Sequence, residues 1–173
     1  MALQKPRYPV DYIGITQYYN TAHPALDLGW HTPNPPVYAA AAGTVYAAAR
    51  DVDGANYVVI RHDNVIAGKL VYTLYWHLAS YRVAKGATVK LGDRIGVMGQ
   101  TGNAVGVHLH FEFWITPLSY TKWALSDKRK YAVDPQTYVY CYPDQTVSPN
   151  TCSNTRRRST RARTSWPPGP SSA

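Results

Sequence analysis

His23-Pro24-Ala25-Leu26-Asp27 and His108-Leu109-His110 set three imidazoles and a carboxylate in two short signatures far apart in the chain, and Tyr75-Trp76-His77-Leu78 adds a fourth imidazole between them. Neutral imidazole nitrogen and carboxylate oxygen are zinc ligands, and a hydrolytic zinc centre keeps three protein ligands and leaves one position for water. The set therefore offers three ligands and two further imidazoles, and an imidazole left uncoordinated can move protons near neutral pH.

Spacing narrows what each group can do. Alternate side chains of a strand share a face, so His108, His110 and Glu112 point one way while Leu109, Phe111 and Phe113 point into a core. Two imidazoles spaced in this way stand about 7 Å apart. One of them can bind an ion while its neighbour stands over the water that the ion holds. His23 and Asp27, four residues apart, can chelate one ion from a turn or from a single helical turn, and Asp27-Leu28-Gly29 reads as the start of a strand. Either signature alone is weak. Both together, with His77 ahead of a glycine-rich stretch, carry the metal reading.

The elements that must hold these groups are strands. Val37-Tyr38-Ala39 and Gly43-Thr44-Val45-Tyr46 flank a small-residue turn, and Tyr57-Val58-Val59-Ile60 and Leu70 to Trp76 are rich in β-branched and aromatic residues, with Asp63-Asn64 and Gly68 between them. Val89, Ile95 and Val97 sit among glycines as short strands, and His108 to Ile115 is the last strong one. No convincing amphipathic helix is present, which predicts a mostly β fold: a single antiparallel β-sheet domain. Residues 10–140 read as the folded unit after an N-terminal extension at 1–9. From residue 141 a basic tail follows, rich in Ser, Thr, Arg, Pro and Gly, which cannot bury enough apolar surface to offset the ordering of its backbone. Cys141 and Cys152 are placed to close a small disulfide loop in an oxidising compartment, though nothing in the sequence forces it.

Charge and hydropathy limit the partners. The chain of 173 residues has a formal net charge of +8, and Arg156, Arg157, Arg158, Arg161 and Arg163 carry five of those charges, leaving about +3 for the rest. A solvated tail is the plain reading of that run, and attraction to anionic surfaces such as cell-wall polymers is the functional one. Nucleic acid is not an expected partner, and a monomer is expected. No apolar run approaches the roughly 18 residues of a membrane span, and the first residues lack the apolar core of a secretory signal.

A family resemblance joins these features. The chain resembles the lysostaphin-like zinc peptidases, the M23 family of cell-wall endopeptidases, from about Ala22 to Val139. The likeness rests on His23 to Leu28, Pro36 to Val45, Tyr75-Trp76-His77-Leu78, Val83 to Gly96, Gly99-Gln100-Thr101-Gly102, Gly106 to Glu112 and Val133-Asp134-Pro135. It implies one zinc ion per chain, held by His23, Asp27 and His110. It also implies free catalytic histidines at His108 and His77, a mostly antiparallel β domain with a groove over the metal, and bacterial peptidoglycan peptide as substrate. Ala25 stands where the family often has glycine, and residues 14–20 lack the usual glycine-arginine approach. No ligand or catalytic position is missing. The expected mechanism is metal-assisted hydrolysis, with His108 as general base and His77 as oxyanion stabiliser or proton donor to the leaving amine, roles that could be exchanged. With no secretory signal legible, delivery as a phage-type endolysin or virion-associated lysin is the expectation.

Other residues receive plainer readings. His62 is expected to be an exposed histidine at a strand end, and His31 to sit in a proline-rich loop. Glu112 reads equally well as a surface or structural carboxylate and as one that orients a ligand histidine. Tyr18, Tyr19, Trp30 and Trp76 are expected to pack in the core rather than line a groove, and Asp134 is a turn residue before Pro135. A catalytically inactive cell-wall-binding or activator module is the principal rival. Val83 to Gly96 also resembles the hairpin of lipoyl- and biotinyl-type carriers, but no lysine is displayed in their attachment context. A phosphocarrier would have no use for Asp27 beside His23.

Overall fold

The computed structural model describes residues 5–11, 14–29, 34–63, 65–66, 68–120, 122 and 124–140. The expected Cys141–Cys152 loop, the arginine run, His31 and Trp30 lie outside the described residues. Eleven strands follow in chain order: β1 Gly14–Gln17, β2 Leu26–Gly29, β3 Pro36–Tyr38, β4 Gly43–Arg50, β5 Asn56–His62 and β6 Lys69–Trp76, then β7 Leu78–Tyr81, β8 Thr88–Val89, β9 Arg94–Met98, β10 His108–Pro117 and β11 Ala132–Val133. Helical structure among the described residues is short: a 3-10 turn at Leu125–Asp127 leads into α1, Lys128–Tyr131, and a second 3-10 turn spans Pro135–Thr137.

The strands form two antiparallel sheets. The larger runs β1-β2-β10-β6-β5-β4-β8, with β11 also paired to β10, and the smaller runs β3-β9-β7. Strand β10 is the axis of the molecule. His108 to Phe111 pair with β2, Phe113 and Trp114 pair with β11, and His110 to Pro117 pair with β6 on the other side. The mostly β architecture expected from the sequence is what the chain adopts.

The two-residue period of β10 sorts its side chains as the alternation predicts. Leu109, Phe111 and Phe113 are fully buried in the main core with Leu26, Leu28, Val37, Ile60, Tyr75 and Ile95. The opposite face carries His108, His110, Glu112 and Trp114, and there a second, aromatic layer forms from Tyr72, Leu74, Trp76 and Trp114 with Tyr46, Tyr57, Tyr120 and Tyr131 packed on it. Both faces of the central strands are therefore covered, and the polar groups of β10 emerge at its N-terminal end, beside β2.

Two readings change. His62 is fully buried rather than exposed at a strand end. The alternation of β5 puts it on the inner face with Val58 and Ile60, where its Nδ1 lies 2.9 Å from the Ala42 carbonyl and its Nε2 2.7 Å from Thr73 Oγ1. Gly43 makes room for it, since a Cβ there would come 2.8 Å from His62 Nδ1 and 2.2 Å from the Arg61 carbonyl. Tyr18 is exposed rather than packed in the core, at 62% of its surface. Trp76 does pack, stacked on Tyr57 with ring centroids 4.5 Å apart, whereas Tyr19 donates its hydroxyl to the Ala132 carbonyl at 3.1 Å. Finally, residues 6–9 are hydrogen-bonded to the domain: Arg7 N–H donates to Ala40, Tyr140 N–H to Pro6 and Tyr38 N–H to Pro9.

Candidate metal centre

Register brings the two signatures together. Strands β2 and β10 pair with His110 opposite Asp27, and β10 and β6 pair with His110 opposite Trp76, the residue before His77. Residues directly opposite on antiparallel strands have Cβ atoms about 5 Å apart, so one histidine of β10 becomes neighbour to both other segments. His23 precedes β2 in a bend, turned by Asn20, whose Oδ1 accepts the N–H groups of Ala22 and His23 at 2.9 Å each. The fixed turn, rather than a helix, brings His23 back over Asp27.

His23 Nε2 lies 3.2 Å and His110 Nδ1 3.0 Å from Asp27 Oδ1. These contacts lack hydrogen-bond alignment, so His23 Nε2 and Asp27 Oδ1 are buried polar atoms without a hydrogen-bond partner. Such an orphan costs about 1–3 kcal/mol unless something satisfies it. His23, Asp27 and His110 each offer one ligand atom, and these atoms all lie within 4.8 Å of one another. Two nitrogens and a carboxylate oxygen are the donors that zinc accepts, so the group and the residues fit.

Proton positions follow from the partners. His110 Nε2 meets Glu112 Oε1 at 3.0 Å; a carboxylate accepts, so the proton sits on Nε2 and the Nδ1 lone pair faces Asp27 and His23. His77 Nδ1 lies 2.8 Å from the Thr101 carbonyl, and His108 Nδ1 lies 2.8 Å from the Gly106 carbonyl. A carbonyl can only accept, so in both neutral rings Nδ1 carries the proton and Nε2 the lone pair. His108 Nε2 stands 3.8 Å from Asp27 Oδ2, and the His77 and His108 ring centroids are 4.8 Å apart. Of the two β10 histidines, one faces the ligand cluster with Nδ1 and the other brings Nε2 to its edge.

The electrostatics follow burial. Desolvation holds His23 and His77 below the ordinary imidazole range, at His77 against the opposing pull of the Thr101 carbonyl. At His110 desolvation works the same way, but contacts with Asp27 and Glu112 outweigh it and the group stands above that range. Burial alone would raise Asp27 and Glu112; their histidine neighbours instead hold both below the usual carboxylate range, and Lys128 adds to the effect at Glu112.

His77 itself occupies the left-handed region, at φ 64°, a conformation that costs a non-glycine residue on the order of 1 kcal/mol. It marks the corner where the chain leaves the large sheet at β6 and joins the small one at β7. Thr101 holds this corner twice: its carbonyl takes the His77 proton contact, and its hydroxyl donates to Leu78 O at 2.9 Å while accepting the Asn56 N–H at 2.9 Å. The sequence pointed to Gly99-Gln100-Thr101-Gly102 as a motif but not to this role, because a backbone carbonyl leaves no mark on residue type. The same holds for the Gly106 carbonyl.

A groove of about 590 Å³ opens over these side chains. His23, Asp27, His77, His108 and His110 form its floor, with Thr16 and Gln17 from β1 and Asn103, Val105 and Val107 from the loop before β10 along its sides. Every site residue expected from the sequence lines it. Glu112, read as either a surface or an orienting carboxylate, is fully buried behind His110, and Asp134 caps the turn at Pro135 by accepting the Gln136 N–H at 3.0 Å.

Comparison with known proteins agrees with the fold and the family resemblance. The profile of peptidase family M23 matches residues 21–128, and the chain belongs to that family of metallopeptidases. An uncharacterized metalloprotease of Haemophilus influenzae is 46% identical over 81 residues, which is 46% of this chain and 16% of that protein. The peptidoglycan DD-endopeptidase ShyB of Vibrio cholerae is 37% identical over 118 residues, covering 61% of this chain and 26% of its own length. The chain thus spans about a quarter or less of these two relatives. Among solved structures, a zinc containing peptidase from Vibrio cholerae superposes with a TM-score of 0.58 at 31% identity, covering 71% of this chain and 41% of that one. The catalytic domain of lysostaphin from Staphylococcus simulans superposes at 0.53 with 25% identity, covering 77% and 86%.

Proposed function

We propose that the chain is a zinc-dependent endopeptidase that hydrolyses peptide bonds of bacterial peptidoglycan, one zinc ion being held by His23, Asp27 and His110. The observation that carries this reading is the pair of buried, unpartnered ligand atoms, His23 Nε2 and Asp27 Oδ1, gathered with His110 Nδ1 on the floor of a groove. The printed name of the Vibrio cholerae relative, a peptidoglycan DD-endopeptidase, supports the substrate class.

Zinc bound there supplies a Lewis acid for the scissile carbonyl and lowers the pKa of its water from about 15.7 toward 7. The remaining work falls to this chain's own imidazoles. His108, with Nδ1–H tied to the Gly106 carbonyl, presents Nε2 to take a proton from the attacking water. His77, tied in the same way to Thr101 and with its ring 4.8 Å from that of His108, keeps Nε2 for the same groove. Once protonated, it gives that proton to the leaving amine nitrogen or holds it against the developing oxyanion. The sides of the groove, from β1 and the loop at 103–107, hold the peptide extended across this pair.

The test is incubation of the purified chain with bacterial cell walls. Release of new amino groups, abolished by a chelator and restored by zinc, supports the endopeptidase; retention on the walls without such release supports the inactive binding module. The finer proposal, a phage-type lysin, predicts the chain on virions or in the lysate at the end of infection. Its appearance in the medium of intact, uninfected cells would overturn that part alone.

A further inference from the structure

Behind the candidate metal centre lies a carboxylate that the mechanism above does not use. Glu112 is fully buried on the site face of β10 and meets three donors. His110 Nε2–H donates to Oε1 at 3.0 Å, Lys128 Nζ approaches the same oxygen at 3.2 Å, and Trp114 Nε1–H donates to Oε2 at 2.7 Å. We infer that Glu112 is the positioning residue that aims His110 at the metal, and that Lys128 is the clamp that holds Glu112 in place. This inference rests on the zinc reading.

The donor count sets the residue type. All three neighbours bring N–H groups, so only an acceptor without hydrogens of its own fits. An amide in the same position has one acceptor atom and an NH₂ that must face either the Trp114 N–H or the His110 and Lys128 pair. Burial of a carboxylate is costly unless it is paired and hydrogen-bonded, and here both oxygens are engaged. The consequence for His110 is a fixed tautomer: with the proton held on Nε2, the Nδ1 lone pair can only point toward His23 and Asp27. Hydrogen bonding of the distal nitrogen to a carboxylate also makes the imidazole a better ligand.

Lys128 comes from a different part of the chain, which makes the arrangement more than a local feature of β10. It opens α1, and the turn before α1 is held by Tyr120, whose hydroxyl donates to Asp127 Oδ2 at 2.9 Å and accepts the Ala124 N–H at 3.0 Å. Its side chain is 31% exposed while that of Glu112 is 1% exposed, so the lysine can be altered without opening the core. Lys130, two residues on and exposed, provides a charge-matched control.

The experiment uses the full chain as wild type, Glu112→Gln, Lys128→Met and Lys130→Met. Zinc affinity is measured by competition with a chelator, the thermal midpoint is measured without metal, and the His110 ring nitrogens are read by ¹⁵N NMR with zinc bound. Glu112→Gln is expected to bind zinc about 10–100-fold more weakly. Lys128→Met is expected to bind several-fold more weakly and to shift the His110 Nε2 resonance, whereas Lys130→Met matches wild type. If Glu112→Gln does not fold, Lys128→Met decides alone. Zinc affinity and His110 resonances unchanged in Lys128→Met, whatever happens to its thermal midpoint, would overturn the inference and leave zinc binding by the wild type standing. A wild type that binds no zinc would instead remove the reading on which it rests.

Discussion

In the proposed mechanism five side chains divide the work by which ring nitrogen each imidazole presents. His23 Nε2 and His110 Nδ1 converge on Asp27 Oδ1, while His77 and His108 both spend Nδ1 on a backbone carbonyl and keep Nε2 for the groove. Metal loss and loss of proton transfer are therefore expected to separate. His110→Ala is expected to lose both zinc and peptide-bond cleavage. His108→Ala is expected to keep zinc yet lose about 10²–10⁴-fold in turnover, with metal content and released amino groups as the two readouts; a fully active His108→Ala would remove it from the mechanism. All five residue types and their spacing were legible in the sequence. The tautomers were not, because the carbonyls of Thr101 and Gly106 that set them belong to loops whose path residue identity does not encode. Glu112 was ambiguous for a related reason: alternation gave its face, but not that Trp114 and Lys128 would close over it.

A buried polar relay ties β5 and β6 to the loop after β3, remote from the candidate ligand cluster. His62 Nδ1–H donates to the Ala42 carbonyl, so its Nε2 must accept from Thr73 Oγ1, 2.7 Å away. Thr73 Oγ1 and Tyr75 Oη lie 2.8 Å apart, and Tyr75 Oη accepts the Ala40 N–H at 2.9 Å. Every member of the relay, His62 included, has a partner. Burial pushes that imidazole down to about 4, against about 6.5 in the unfolded chain. The folded-state value is depressed, so the unfolded chain binds more protons between these values. The stability from neutral His62 is complete above pH 6.5 and is lost as pH falls toward 4, by about 3 kcal/mol. A thermal midpoint that falls across that window, with a flatter profile in His62→Gln, is the expected result. Gly43→Ala is expected to destabilise by about 1–3 kcal/mol in denaturant titration, because its Cβ would press on Arg61 and His62. The long strands were legible from alternation and β-branched runs. The short ones, β1 and β7, were not, since two of the four residues of β1 and three of the four of β7 are exposed and leave too few buried positions to mark a period.

The whole domain is organised so that one strand, β10, gives alternate residues to the core and to the face that carries the candidate site. Phe111 exemplifies the first: it is fully buried against Tyr75, and Phe111→Ala is expected to cost about 3–5 kcal/mol in an unfolding titration. The antiparallel β class followed from the pattern of strands and the groove was expected from the family resemblance; the division into two sheets was not legible, because the break falls at His77, whose left-handed backbone has no signature in a histidine. Charge acts at the same level. Five of the arginines behind the net charge of +8 fall between residues 156 and 163. Ending the chain at Tyr140 is expected to weaken retention on anionic cell walls at low salt, where screening is least, while leaving the cleavage site whole. Retention unchanged by the truncation would rule those arginines out as an anchor.

Zinc content and cleavage measured side by side on the same preparations test the account most directly. Wild type is expected to carry about one zinc per chain, as three protein ligands imply, and to release amino groups from peptidoglycan; His108→Ala should carry the metal without the release, and His110→Ala neither. Wild-type chain that cleaves equally well after its metal is stripped, or His110→Ala that retains full zinc, would contradict it.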